Sequence, residues 1–163
     1  MLLLFFELGS HRYALDASVI REVLPLVEIR PIPQAPPAVS GVFDFRGTLV
    51  PVIDLSVLVT GAPAATRLNT RIVIVDYPTG GGETRPLGVI AERAIRTERR
   101  ESADFVHAGV SNDAAAYLGP VLRDSAGLVQ WIDVTRVLPA AVRDVLFRSR
   151  VDQSWPVSTS SAC

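Results

Sequence analysis

One pattern occurs twice in this chain, and a fold must accommodate both copies. The first is Gly41-Val42-Phe43-Asp44-Phe45-Arg46-Gly47-Thr48-Leu49-Val50-Pro51-Val52-Ile53-Asp54-Leu55. The second runs from Gly119 through Gly127 to Ile132-Asp133-Val134-Thr135 and Leu138. Each reads as glycine, strand, glycine-tipped turn, strand, Ile-Asp, hydroxyl residue, short helix. In the first copy Phe43 and Phe45 alternate with Val42 and Asp44, the period of a half-buried strand. Gly47 supplies the positive φ of a tight hairpin. Thr48 to Ile53 is β-branched or apolar except for Pro51, which suits an edge or a bulge. Asp54 fits an N-cap, Leu55 to Val59 a short helix and Gly61 its stop. The copies lie about half a chain length apart, so they imply two similarly built β units. A solenoid would repeat at a shorter period.

The rest of the chain supplies further strands. Residues 2–8 and 11–15 read as a hairpin around Gly9-Ser10, with His11, Tyr13 and Leu15 on one face. Asp16 to Ser18 is a turn, and Val19 to Leu26 is extended, with Ile20, Glu22 and Leu24 on one face. Pro25, Pro31, Pro33, Pro36 and Pro37 then predict a stiff surface crossing. Arg71 to Tyr77 is an apolar run typical of a strand buried on both faces, Pro78 to Gly82 is a hairpin end, and Leu87 to Ala91 is the partner. Ala94 to Arg100 suits a strand leading to the surface, while residues 101–116 carry no clear element. Pro139 suits a first helical position, with Val142, Val145 and Leu146 on the apolar side of a C-terminal helix. Residues 149–163 are polar and small, a frayed tail by expectation. Short strands with Gly/Pro punctuation and little helix predict a mainly β architecture, two small barrels sharing a hydrophobic interface.

Composition narrows the function. The chain has 163 residues, 48% hydrophobic and 20% charged, enough for one domain with a sizeable core. A net charge of -1 argues against bulk attraction to nucleic acid or an anionic membrane. All 16 basic residues are arginine, a bias that base composition alone can produce. The single cysteine is Cys163, so no disulfide framework or thiolate metal cluster is expected. The Leu2 to Phe6 run is broken by Glu7 and has no basic lead, so it reads as a strand rather than a signal peptide or a membrane span. A cytoplasmic location is the expectation.

No catalytic constellation stands out. His11 and His107 are far apart, and neither has a carboxylate or second histidine at ligand spacing. Gly80-Gly81-Gly82 lacks the Lys-Ser/Thr of a phosphate loop. Asp54 and Asp133 sit where helix caps belong. A hydrolase or ligand-binding barrel using Asp54, Asp133 or His107 would require a pocket with convergent polar groups. The sequence therefore predicts neither enzyme, metal nor cofactor. Glu22 and Arg46 are charges on otherwise apolar strands, an arrangement that protein interfaces use.

Taken in order, these segments resemble the CheW-like domain family of bacterial chemotaxis adaptors. The resemblance rests on Leu3-Leu4-Phe5, Tyr13-Ala14-Leu15-Asp16, Ile20-Arg21-Glu22-Val23, Pro33-x-x-Pro36, Gly41-Val42, Gly88-Val89-Ile90, Gly119 and Ile132-Asp133. Its closest part is Arg46-Gly47-x-x-x-Pro51-Val52-Ile53-Asp54-Leu55. It covers about residues 2–146 and implies two five-stranded, SH3-like barrels around a common core, a single domain over residues 1–148. It also implies a non-catalytic adaptor bridging the cytoplasmic tip of methyl-accepting receptors to the regulatory domain of a CheA-type histidine kinase. Carried over by position, Ile20, Glu22, Gly41, Arg46, Arg71 and Val89 would face the receptor, and Thr48, Leu49 and Val50 the kinase. Asp44 and Phe45 replace the family's usual Asn and Leu, and the added negative charge is expected to neutralise Arg46 or alter partner choice. No receiver or kinase domain follows in the sequence, which implies a stand-alone adaptor. The same fold also serves chemotaxis-like pathways of surface behaviour, pilus motility or second-messenger control.

Overall fold

A computed structural model describes residues 1–107 and 115–147; the tail expected over 149–163, with Cys163, lies outside the described residues. Among the described residues ten strands run β1 (Leu2–Leu8), β2 (His11–Asp16), β3 (Ile20–Pro25), β4 (Val39–Phe45), β5 (Thr48–Asp54), β6 (Arg71–Pro78), β7 (Thr84–Arg99), β8 (Phe105–Val106), β9 (Leu118–Asp124) and β10 (Gly127–Ile132). Two short helices, α1 (Leu55–Thr60) and α2 (Ala140–Leu146), complete the regular structure together with 3₁₀ turns.

The strands follow the path β3-β6-β7-β1-β2-β10-β9-β8, with β5 added beside β7 and β4 beside β5. The long β7 belongs to both halves. Its first part pairs β6 from Pro78↔Thr84 to Arg71↔Ala91 and takes β5 in parallel at Val52↔Gly88. Its second part pairs β1, from Glu7↔Glu92 to Leu2↔Arg99. One five-stranded unit is therefore β4-β5-β7-β6-β3, and the other is β7-β1-β2-β10-β9 with the two-residue β8 at its edge. The fold is mainly β in two SH3-like subdomains.

Burial divides the same way. Phe43, Val50, Val52, Ile72, Ile74 and Ile90 fill the inside of one subdomain. Leu3, Phe5, Ala14, Leu122 and Val129 fill the other. The opposite faces of the same strands, including Leu4, Phe6, Leu15, Ile53, Val73, Val75 and Tyr77, form a larger core shared between them. The near-continuous apolar runs arise because these strands are covered on both faces.

Both Ile-Asp motifs work as caps. Asp54 Oδ1 accepts from Ser56 N at 2.9 Å and its Oδ2 from Ala64 N at 3.0 Å, while Gly61 ends α1 at φ +80°. Asp133 Oδ1 accepts from Thr135 N at 3.1 Å and Thr135 Oγ1 at 2.6 Å. The second copy differs from expectation beyond that point. Asp133 caps a 3₁₀ turn, Val134–Arg136, and the chain restarts as α2 with Pro139 in the cap position rather than the first helical one. Val142 and Leu146 pack on the shared core, but Val145 points outward.

The main departure is β7 itself. The segments expected as Leu87–Ala91 and Ala94–Arg100 are one strand, carried through a kink at Arg93, which has φ +49°. The register against β1 shifts between Phe5 and Glu7 beside that kink. A bulge of this kind bends a strand without ending it, which lets one strand serve two sheets. Within the unassigned 101–116 stretch, Ser102–Asp104 forms a 3₁₀ turn and Phe105–Val106 becomes β8.

One ion pair closes the mouth of the β7-β1-β2-β10-β9 unit. Arg12 donates from Nη1 and Nη2 to the two oxygens of Asp124, at 2.8 and 2.9 Å. That two-pronged hydrogen bond, with the N–H of Ala126 and the Arg12 charge, outweighs burial and holds the Asp124 carboxyl at about 2 instead of 3.8. The folded state therefore binds this proton less readily than the unfolded chain. Its stabilisation is complete above the unfolded pKa and fades as pH falls through about 2. With partial solvent screening the contribution is about 1–2 kcal/mol. In urea unfolding, Asp124→Asn should be less stable than the parent by this amount at pH 6, and the gap should shrink between pH 4 and 2.

Candidate interaction surface

The β4–β5 hairpin carries the first copy's tip away from the core. Gly47, at φ +86°, closes the turn, and Arg46 precedes it at φ +51°, a conformation that arginine adopts at a cost. Asp44 offsets that cost, because its Oδ1 accepts from Gly47 N at 2.7 Å and ties the turn to the strand behind it. The Arg46 guanidinium lies over the Phe45 ring, 4.7 Å from its centre, and donates to Glu22 Oε1 at 3.1 Å. Its side chain keeps 73% of its exposure, so most of its N–H fork stays available. Glu22 reaches the tip from β3, where Ile20, Glu22 and Leu24 alternate as half-buried with exposed Arg21, Val23 and Pro25.

The neutralisation of Arg46 expected of Asp44 does not take the form of an ion pair between them. Asp44 is engaged with the turn backbone and Glu22 is the partner of Arg46. Sequence reasoning assigned neither the Asp44 bond to the turn nor the stacking of Phe45 against Arg46, and the Asp-x-x-Gly spacing was the available signal for the turn. Asp44→Ala should lower stability by about 1 kcal/mol, the worth of one such hydrogen bond, whereas Asp44→Asn should keep it. Chemical denaturation of the two variants reads the difference.

The other candidate residues divide sharply. Thr48 lies opposite Phe45, and Leu49 opposite Asp44 is 70% exposed, an unusual position for a large apolar side chain. Leu49 forms one wall of a shallow groove with Glu28, Ile29, Arg30, Pro31, Val42 and Phe43. Ile20 packs partly on the shared core. Arg71 pairs opposite Pro25, at the far end of β3 from Ile20, and donates to the carbonyls of Leu68 and Thr70. Val50 and Val89 are fully buried and offer no contact surface; Val50 supports the hairpin from inside, and Val89 sits in the shared core. Gly41 is buried as well and acts through its backbone.

The catalytic alternative finds no support in its own residues. Asp54 is buried and used as a cap, and His107 is exposed. Asp133 borders a cavity of about 360 Å³ with Asp16, Val19, Trp131 and Thr135, but the two carboxylates there are both occupied as caps. No group of three or more His, Cys, Asp and Glu able to hold a metal occurs among the described residues. Among those residues, no helix is long and apolar enough to cross a membrane.

Comparison with known proteins matches the CheW-like domain to residues 2–142. The chain belongs to the CheW-like domain family. The chemotaxis protein CheW of Treponema pallidum is 38% identical over 148 residues, covering 83% of this chain and 80% of that protein. Protein FrzA of Myxococcus xanthus is 28% identical over 111 residues, covering 68% of this chain and 66% of its own. The crystal structure of the scaffolding protein TtCheW from Thermoanaerobacter tengcongensis superposes with a TM-score of 0.72 at 21% identity, over 86% of this chain and 89% of that one. That likeness establishes the CheW fold here. The family is one of scaffolds in chemotaxis signal transduction, as the names of the Treponema pallidum chemotaxis protein and the scaffolding protein TtCheW say.

Proposed function

We propose that this chain is a non-catalytic adaptor coupling methyl-accepting chemoreceptors to the regulatory domain of a CheA-type histidine kinase, on the cytoplasmic side of a receptor array. The observation that carries this reading is the hairpin tip. Arg46 is pre-positioned by Asp44, Phe45 and Glu22 yet remains largely exposed, beside an outward-facing Leu49. A pinned cation next to an exposed apolar side chain suits a protein interface with an apolar centre and a charged rim. In this reading Glu22 and Arg46, flanked by Ile20 and Arg71, take the receptor side. Thr48 and Leu49 take the kinase side. Gly41, Val50 and Val89 act as internal supports of those two faces. Residues 1–148 serve as one CheW-like domain.

The test is binding of the purified chain to a receptor cytoplasmic fragment and to the kinase regulatory domain. Arg46→Ala should weaken the receptor contact about tenfold or more, and Leu49→Asp the kinase contact by a similar factor. Both variants should keep the parent's unfolding midpoint within a few degrees. Failure of the unmodified chain to bind either partner would sink the proposal. The match to FrzA, a relative not named CheW, favours a second reading in which the same adaptor serves a chemotaxis-like pathway of another kind. Binding to a kinase and receptor encoded beside this chain separates the two.

A further inference from the structure

Far from the hairpin tip, arginines converge on the mouth of the β7-β1-β2-β10-β9 unit. Arg12, Arg96 and Arg100 each bring a guanidinium within 5.5–5.9 Å of the centre of one ring, Phe5. A groove beside it is lined by Phe5, Glu7, Arg12, Arg67, Asn69, Arg93 and Arg96, with a volume of about 600 Å³. The cations outnumber the carboxylates that face them. Arg12 is paired with Asp124, Arg93 with Glu7, and Arg96 and Arg100 share the single Glu98. Arg67 has no ion pair among the described residues. The groove thus carries positive charge on a molecule whose net charge is -1.

We propose that this groove binds an acidic protein segment, its carboxylates meeting Arg67, Arg93 and Arg96. Two features favour that occupant. Guanidinium forks match carboxylates in plane, and the groove already holds one such pairing, Arg12 with Asp124, at 2.8 and 2.9 Å. The Phe5 ring holds the Arg96 guanidinium in place beside those of Arg12 and Arg100, so fewer rotamers of Arg96 are lost when an anion arrives. The site is separate from the Glu22–Arg46 surface and does not depend on the adaptor reading.

The probe is a fluorescently labelled, end-capped decapeptide of alternating glutamate and alanine, titrated with the full chain at low salt and followed by anisotropy. The proposal expects saturable binding that weakens steeply with salt, at least tenfold tighter than the matching glutamine–alanine peptide. Arg67→Gln with Arg96→Gln should reduce affinity about tenfold while the thermal midpoint stays near the parent's. Arg30→Gln, on the opposite subdomain, should leave binding unchanged. Should the double variant unfold, amide shift changes in the parent on peptide addition decide. Shifts confined to Arg67, Asn69, Arg93, Arg96 and their neighbours support the site, and shifts elsewhere overturn it. Equal binding by parent and a folded double variant overturns it, as does no binding at low salt. Displacement of the peptide by an equal concentration of inorganic phosphate overturns the peptide reading in favour of a small-anion site.

Discussion

Gly41→Ala should destabilise the protein by about 3 kcal/mol, among the larger effects open to a single methyl group. An added Cβ would lie 2.0 Å from the Arg30 carbonyl oxygen and 2.6 Å from its carbon, both backbone atoms that cannot swing aside. Gly41 also holds φ +142°, which L-residues rarely adopt. The reason for the close approach is the proline-rich crossing. Arg30 N donates to Val42 O at 2.8 Å and Val42 N to Arg30 O at 2.9 Å, so the crossing is stitched to β4 next to the glycine. Alanine must push the two apart and forfeit both bonds. In a chain of this length the thermal midpoint should fall by about 10 °C. Gly47→Ala is the control: it too has positive φ, but nothing lies within 4 Å of the new methyl. It should cost only about 1 kcal/mol. Equal melting of the two variants would refute the steric account.

Tyr77→Ala should be of similar size or larger, about 3–5 kcal/mol. Among the described residues Tyr77 is the largest fully buried side chain, placed on β6 in the shared core. Its ring stacks on Phe147 just beyond α2, with centres 5.7 Å apart and planes within 14°. Burial raises the hydroxyl's pKa despite the opposing influence of the Leu138 backbone and of Arg143, so it remains protonated through the neutral range. Alanine leaves a cavity between the two subdomains and removes the platform on which α2 rests. Tyr77→Phe keeps the stack and removes only the hydroxyl, a change of about 1 kcal/mol or less. Guanidinium unfolding of the pair distinguishes a packing role from a polar one. Near-equal losses for both variants would mean that the hydroxyl, not the ring, dominates.

The readability of the chain followed its punctuation. The β4–β5 hairpin, α1 and the two aspartate caps were legible because glycine, proline and aspartate at fixed offsets restrict the backbone locally. The shared core followed from finding that unit twice. What escaped depends on distant partners. The continuity of β7 was hidden by Glu92-Arg93, charged residues at a kink that looks like a strand end until β1 is seen beside it. The outward turn of Val145 and the split after Asp133 depend on where α2 docks. At the candidate surface Leu49 came in only with the family resemblance, whereas Arg46 and Glu22 could be singled out from residue type alone. The internal positions of Val50 and Val89 could not, since an apolar residue in a strand reads the same on either face until both layers are known. The Arg12–Asp124 pair joins residues more than a hundred positions apart and leaves no local trace.

The sharing of β7 also governs the order in which the chain can be completed during synthesis. The first hairpin, β1–β2, emerges early with both outer edges bare. One edge is closed only when Arg96 to Arg99 arrive to pair with Leu2 to Phe5, and the other only when Val129 to Trp131 pair with Arg12 to Ala14. Until then an apolar two-stranded ribbon must wait, longest of all elements, for partners still inside the ribosome. Exposed edges of that kind recruit other chains. Aggregation during rapid expression should therefore originate in residues 2–16, and slowing translation over the first half of the message should not relieve it.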